Sequence, residues 1–157
     1  MTEMRRRMEE ELKLRGCSPR TSKAYLDWVR RFAAHYKRPP EEMGSEEARG
    51  FLIDLLEELP SSSTGLGATE MRMLELIARG YSLTNALFHL YQLRQTRIFG
   101  EWEYGYLLDG LAFGPKPAVA GLDDALRTLD RENLRDREPA YLRSRLSITE
   151  FGRAVLA

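Results

Sequence analysis

The side chains of this sequence that are best suited to chemistry are basic, and they cluster in one stretch. Between positions 13 and 38 the chain carries eight Lys and Arg residues and a single acid, Asp27, which gives a formal charge of +7. Ammonium and guanidinium groups in such a series bind the phosphates of a nucleic acid backbone. The candidate phosphate ligands, including one hydroxyl donor, are Lys13, Arg15, Arg20, Thr21, Lys23, Arg30, Arg31, Lys37 and Arg38.

A helix over positions 19–37 is predicted to position these groups. Ser18 is suited to cap its first turn, and Pro19 fits the first helical position, where its missing N–H is no loss. Apolar residues then recur at spacings of three and four, which predicts one buried face made of Tyr25, Trp28, Val29, Phe32 and Tyr36. The basic side chains fall largely on the other side. The helix is expected to stop before Pro39.

Two further helices are predicted to complete a small bundle around it. The first covers 2–15 and ends at Gly16, and the third covers about 46–59 after a cap at Ser45. The stripe of the third helix that we expect to be buried is Ala48, Phe51, Leu52, Leu55, Leu56 and Leu59. Positions 39–59 carry a formal charge of −6. A second interpretation of the basic face is therefore a solubilising surface paired with this acidic helix.

The same stretch resembles a known family. The run Ser-Pro-Arg-Thr-x-Lys-Ala-Tyr-x-x-Trp-x-Arg-Arg-Phe (18–32) is followed by Pro-Pro-Glu-Glu-Met-Gly (39–44) and Phe51-Leu52. Over about 4–59 these residues resemble the N-terminal core-binding domain of tyrosine recombinases, integron integrases in particular. The resemblance implies a helical, SAM-like domain that clamps one side of double-stranded DNA while a separate catalytic domain cuts it.

The catalytic residues of that family are not recognisable in this chain. The family uses an arginine, a His or Lys, a His-x-x-Arg string, a further His or Trp and a nucleophilic tyrosine. His35 to Arg38 fits the string by letters but lies on the predicted core-binding helix, and Tyr104, Tyr106 and Tyr141 have no matching arginine cluster. Cys17 is the single cysteine, and the two histidines lack metal-ligand spacing. We therefore expect no catalytic residue, metal site or cofactor, and no enzyme activity.

A second domain is predicted after a linker at 60–67, which is rich in Ser and Gly. The predicted domains are thus 1–59 and 68–157. The elements of the second are a helix at 70–79 capped by Thr69, helices at about 84–96 and 101–113, strands near 117–121 and 145–148, and one helix from Asp123 to Arg131 in the charge-rich segment 122–143.

This order of helices and strands is typical of a winged helix. The ending Leu-Ser-Ile-Thr-Glu-Phe-Gly-Arg-Ala-Val-Leu resembles the exit from the wing in such domains. Residues 68–157 are also similar to a bacterial domain family of unknown function, through Ile98-Phe99-Gly100-Glu101-Trp102 and Leu111-Ala112-x-Gly114-Pro115-x-Pro117. The fold class that we predict is mainly α, a SAM-like helical bundle followed by a winged-helix-like α+β domain with a small β-hairpin.

The third helix of the second domain does not look like a DNA-recognition helix. Such helices enter the major groove with Lys, Arg, Asn or Gln. This one carries Glu101, Glu103 and Asp109 and no basic residue. Its aromatic residues suit a protein contact or self-association instead, unless they are simply core. The candidates are Trp102, Tyr104 and Tyr106.

Two functions from different classes follow from these patterns. The first is a non-catalytic DNA-binding protein, whose partner is double-stranded DNA, for example an accessory or regulatory factor of a mobile element. The alternative is a protein–protein interaction module in which the recombinase likeness records ancestry only. The composition is that of a globular protein, at 43% hydrophobic and 31% charged residues with no net charge. No apolar run is of membrane-spanning length, so a cytoplasmic location without membrane contact is expected.

Overall fold

The computed structural model describes residues 3–89 and 98–157 and confirms a mainly α fold with a small antiparallel sheet. The strands β1 (Val119–Ala120) and β2 (Ser147–Ile148) pair as Val119 with Ile148 and Ala120 with Ser147. Short 3-10 helices cover Pro40–Glu42 and Asp124–Arg127. The α-helices are α1 Glu3–Leu14, α2 Pro19–Tyr36, α3 Ser45–Glu57, α4 Ala68–Ala78, α5 Thr84–His89, α6 Glu101–Phe113, α7 Leu134–Arg143 and α8 Glu150–Leu156.

These bounds match most of the predicted helices. The later half of the helix predicted at about 84–96 lies outside the described residues. Among the helices that are described, none is long and apolar enough to cross a membrane.

The chain divides into two compact units, Met1–Asp54 and Leu55–Ala157. The predicted linker at 60–67 lies within the second unit and forms a hydrogen-bonded turn. In this turn the backbone N–H of Ser61 donates to Leu66 O at 3.1 Å, and that of Gly65 donates to Ser61 O at 2.9 Å. Whether 60–67 separates two domains in solution stays a prediction.

The first unit follows local signals closely. Gly16 adopts a φ of 70° where α1 ends. The Oγ atom of Ser18 accepts from the Thr21 backbone N–H at 3.1 Å, which confirms the predicted cap of α2. The ring of Phe51 on α3 lies in edge contact with those of Trp28, Phe32 and His35 on α2.

The buried aromatic face predicted for α2 is wrong in part. No residue of α2 is fully buried, and the side chains of Tyr25 and Trp28 are 52% and 46% exposed. Most of the predicted α3 stripe is exposed too, because Leu52, Leu56 and Leu59 all face solvent and only Phe51 is buried. Three short helices enclose little volume, so each can hide only part of an apolar stripe.

The second unit has a much larger core. It is built from α4, α5, α6, α7 and the two strands, and its fully buried apolar side chains are Met73, Leu74, Leu76, Leu87, Leu108, Val119 and Leu126. Two glycines allow close approach of the backbone at the sheet. A Cβ on Gly121 (φ 88°) would lie 1.9 Å from Arg145 O, and one on Gly152 would lie 2.3 Å from Ala118 O.

Two predictions of local structure in this unit are wrong. Thr69 does not cap α4, because Gly67 takes that position and Thr69 is buried within the first turn, bonded to the Glu58 carboxylate at 2.9 and 2.6 Å. The segment 122–143 does not form one helix from Asp123. It forms a short 3-10 helix and then α7, which begins after an Asn133 cap.

Candidate nucleic-acid interface

The basic side chains of α2 share one face. At about 100° and about 1.5 Å per residue, Arg20, Lys23, Arg30 and Arg31 fall within a sector about 100° wide and about 16 Å long. Phe32 and Trp28 point toward Phe51, and Leu26 and Val29 line a groove with Met4 and Met8 of α1. The basic sector therefore lies between the contacts of α2 with α1 and α3, and Arg30 stands at the edge of the α1 groove. We call the surface formed by Arg20, Lys23, Arg30 and Arg31, together with Asp27 between them, the basic face.

Ion pairing leaves two cations of the basic face available to a ligand. Within the described part of the chain, no ion pair involves Arg20 or Lys23. Arg30 Nη2 lies 3.3 Å from Asp27 Oδ1, and both side chains are exposed. The Arg31 guanidinium lies 5.4 Å from the centroid of the Trp28 ring. The exposed pair of Arg30 and Asp27 contributes about 1 kcal/mol or less, so a phosphate group can replace Asp27 as the partner of Arg30.

The other predicted phosphate ligands are less well placed. The Thr21 hydroxyl is 2.8 Å from the Ser18 hydroxyl and belongs to the cap. Arg15 pairs with Glu11 at 2.9 Å on α1. Lys13 and Lys37 are exposed, the latter where α2 ends in the left-handed conformation (φ 54°).

Arg38 is held by the connection to α3 and does not lie on the basic face. Its guanidinium donates to Glu42 O at 2.7 Å and to the Glu47 carboxylate at 3.3 Å. The backbone N–H of Gly44, and secondarily Arg38, hold the pKa of Glu47 below its usual value. Arg38 therefore stabilises the turn between α2 and α3.

The two residues of the His-x-x-Arg string, His35 and Arg38, make contacts in different places. The His35 side chain is buried, and its Nε2 lies 3.0 Å from Asp54 Oδ2, across the α2–α3 contact. Tyr36 OH donates to Glu47 O at 2.8 Å, beside Gly50, where a Cβ would come within 2.7 Å of that hydroxyl. This polar seam between α2 and α3 has no periodic signal in the sequence.

The aromatic residues predicted to contact a protein divide into two groups. Trp102 and Tyr106 lie one turn apart on α6 and are 43% and 37% exposed. Tyr104 is 3% exposed and stacks on Phe88 at 6.4 Å between ring centroids, so its ring belongs to the core and the prediction for it is wrong. Position 104 falls about 200° around the helix from 102, which turns it inward.

Asp109 is likewise buried, although we expected it to repel phosphate from α6. Arg137 Nη2 donates to its carboxylate and to Tyr141 OH (2.7 Å), and Arg137 Nη1 donates to Leu126 O at 3.2 Å. Burial raises the pKa of Tyr141 to about 12. Each of these polar atoms is used within the core, so the cluster is structural. Over 3–89 and 98–157 there is no group of three or more side chains suited to hold a metal ion.

The first part of the chain is similar to known proteins. Residues 4–66 match the phage integrase N-terminal SAM-like domain family. Over 58 residues the chain is 36% identical to a Sinorhizobium fredii protein provisionally named as an integrase/recombinase. That alignment covers 37% of this chain and 19% of the relative, so the chain matches about a fifth of the relative's length. No solved structure matches the chain. The resemblance of 68–157 to a domain of unknown function stays a prediction.

Proposed function

We propose, from the premise that residues 4–66 are a tyrosine recombinase-type N-terminal domain, that this domain binds double-stranded DNA through the basic face of α2. The observation that carries the proposal is the convergence of Arg20, Lys23, Arg30 and Arg31 on one side of the helix. Two of these cations have no ion-pair partner among the described residues. Phosphates spaced along a duplex would provide those partners.

The absence of net charge does not oppose this proposal. Charges beyond about 8–10 Å are screened at physiological salt, so the groups near a phosphate decide the contact. Two acids of α3 are already paired away from the basic face, Asp54 with His35 and Glu47 with Arg38. A phosphate at the basic face therefore meets cations first.

We also propose that the protein does not cut DNA. In support, Tyr104 and Tyr141 are buried, Tyr36 OH is used in the α2–α3 contact, and the hydroxyl of the exposed Tyr106 donates to Arg131 O at 2.7 Å. The role that we propose is that of an accessory or regulatory factor of a mobile element. Such a factor would act in the cytoplasm, where DNA is present.

A salt titration tests DNA binding directly. The parent protein should bind a labelled 25-bp duplex of random sequence with an affinity that falls as salt rises, at a slope of about −0.9 per phosphate contact. The fourfold variant with Arg20, Lys23, Arg30 and Arg31 changed to Ala should lose about three to four units of that slope. It should keep its helical circular dichroism, because none of these side chains is in the core.

A matched control distinguishes the effect of the basic face from the effect of lowering the protein's total positive charge. Changing Arg79, Lys116, Arg131 and Arg135 to Ala removes the same charge from exposed positions of the second unit. This variant should bind as the parent does. Equal loss in both variants, or no binding by the parent, would contradict the proposal.

A protein-interaction module remains the second candidate, and the exposed rings of Trp102 and Tyr106 favour it. If the parent does not bind DNA but associates with itself in sedimentation velocity, and the variant with both residues changed to Ala is monomeric, this function replaces the first.

A further inference from the structure

Asp27 is an unusual residue at the centre of the basic face. It is the single acid between Lys13 and Arg38. Along α2 it lies about 6 Å from both Lys23 and Arg31, and it points within about 20° of the direction of Arg20. Its side chain is 44% exposed and touches Arg30. On a surface that bound only phosphates, a carboxylate at this point would oppose binding.

The shape of the helix around Asp27 suits the major groove of DNA. That groove is about 12 Å wide, and an α-helix with its side chains is about 10–12 Å across. Ala34 is exposed and points within about 20° of the direction of Asp27, and Ala24 is exposed just beyond the edge of the sector, so small side chains lie beside this line. Long basic side chains lie on both sides of the line. In a groove they would reach the phosphates of the walls while Asp27 faced the base edges.

We infer that Asp27 selects a cytosine in DNA bound by α2, an inference that rests on the proposed function. Cytosine presents its N4 amino group, a donor, to the major groove, and a carboxylate can only accept. Guanine presents two acceptors at the same edge and thymine presents O4, so both would repel Asp27. Adenine has an N6 donor but sets the acceptor N7 beside it, so it fits the carboxylate less well than cytosine. Arg30 would then exchange Asp27 for a phosphate, while the carboxylate gains the base as its partner.

Selection from a random library tests the inference. The full chain is used to enrich duplexes from a pool with 20 random base pairs at moderate salt, and the pool is sequenced. The parent should enrich sites with a C·G pair at one fixed position, preferred over other pairs by about fivefold to a hundredfold. The Asp27→Asn variant should shift that position toward A·T, because an amide pairs with adenine. The Asp27→Ala variant should lose the preference there.

The control is Glu46→Gln, which removes the same charge from an exposed position on α3. It should enrich the same sites as the parent. If the parent binds duplex DNA but enriches no position, or if the Asp27 variants enrich the same cytosine, the inference is wrong and the proposed function stands. If Asp27→Ala simply binds every sequence more tightly, the carboxylate is only a repulsive charge. A parent that binds no DNA at any salt concentration overturns both.

Discussion

The buried pair of Asp109 and Arg137 shows what single residues contribute to the second unit. Both side chains are nearly fully buried, and Arg137 also bonds Tyr141 OH and Leu126 O. Burying two charges is expensive, so such a pair adds little net stability compared with apolar residues. Losing one partner is different, because the remaining charge stays buried without compensation. The network fixes how α7 and the 3-10 helix pack on α6.

We therefore predict strong coupling between these two residues. Changing Arg137 to Met should lower the free energy of unfolding by about 3–5 kcal/mol, because the Asp109 carboxylate loses its partner. Adding Asp109→Leu should restore about 1–3 kcal/mol of this loss. Urea unfolding followed by circular dichroism measures both. Arg135→Met, at an exposed position of the same helix, is the control and should change stability little. Additive losses in the double variant would show that the pair is not coupled.

At the scale of elements, α2 has a weaker apolar face than its aromatic content indicates. Trp28 meets Phe51 with a centroid distance of 6.5 Å but keeps nearly half of its surface in water, whereas Phe51 is almost wholly covered. Phe51 is thus the buried apolar residue of the contact between α2 and α3, beside the polar contacts of His35 and Tyr36. The number of aromatic residues on a helix does not reveal how many of them a small neighbour can cover.

Two alanine substitutions distinguish these roles. Phe51→Ala should cost about 3–5 kcal/mol of stability, as expected for a buried aromatic residue. Trp28→Ala should cost less than about half of that, because much of the ring is already hydrated. Thermal unfolding of both variants, followed through α-helical circular dichroism, provides the comparison. A Trp28 variant that is destabilised as much as the Phe51 variant would show that α2 is buried in solution.

The sequence predicts these elements well where neighbouring residues determine the structure, and poorly where residues far apart in the sequence do. Gly16 ends α1 through its own backbone conformation and Ser18 caps α2 through its own hydroxyl, and both predictions are confirmed. The common side of α2 on which the four cations of the basic face lie also follows from their spacing. Thr69, Tyr104 and Asp109 were misassigned because their partners, Glu58, Phe88 and Arg137, lie far away in sequence. The helix α7 was missed since its Asn133 cap is followed by charged residues and Pro139.

At the scale of the whole molecule, burial is distributed unevenly. In the described part of the first unit, the buried apolar residues are Leu12 and Phe51, whereas the second unit has a continuous core of 18 such residues. Apolar burial is the main favourable term in folding. Unfolding of the chain is therefore not expected to be a single two-state transition.

This asymmetry leads to a prediction for hydrogen exchange. Amides of α1 and α2 should exchange much faster than those of α4 and α6, because local opening of a small core exposes less apolar surface to water. Mass spectrometry after deuterium labelling measures this for each peptide.

Adding a 25-bp duplex should slow exchange in peptides covering α2 and leave those covering α4 and α6 unchanged, since a ligand stabilises only what it binds. The fourfold variant of the basic face is the control and should show no slowing. Equal protection of both units without DNA would contradict the asymmetry, and slowing confined to α6 would move the binding surface away from α2.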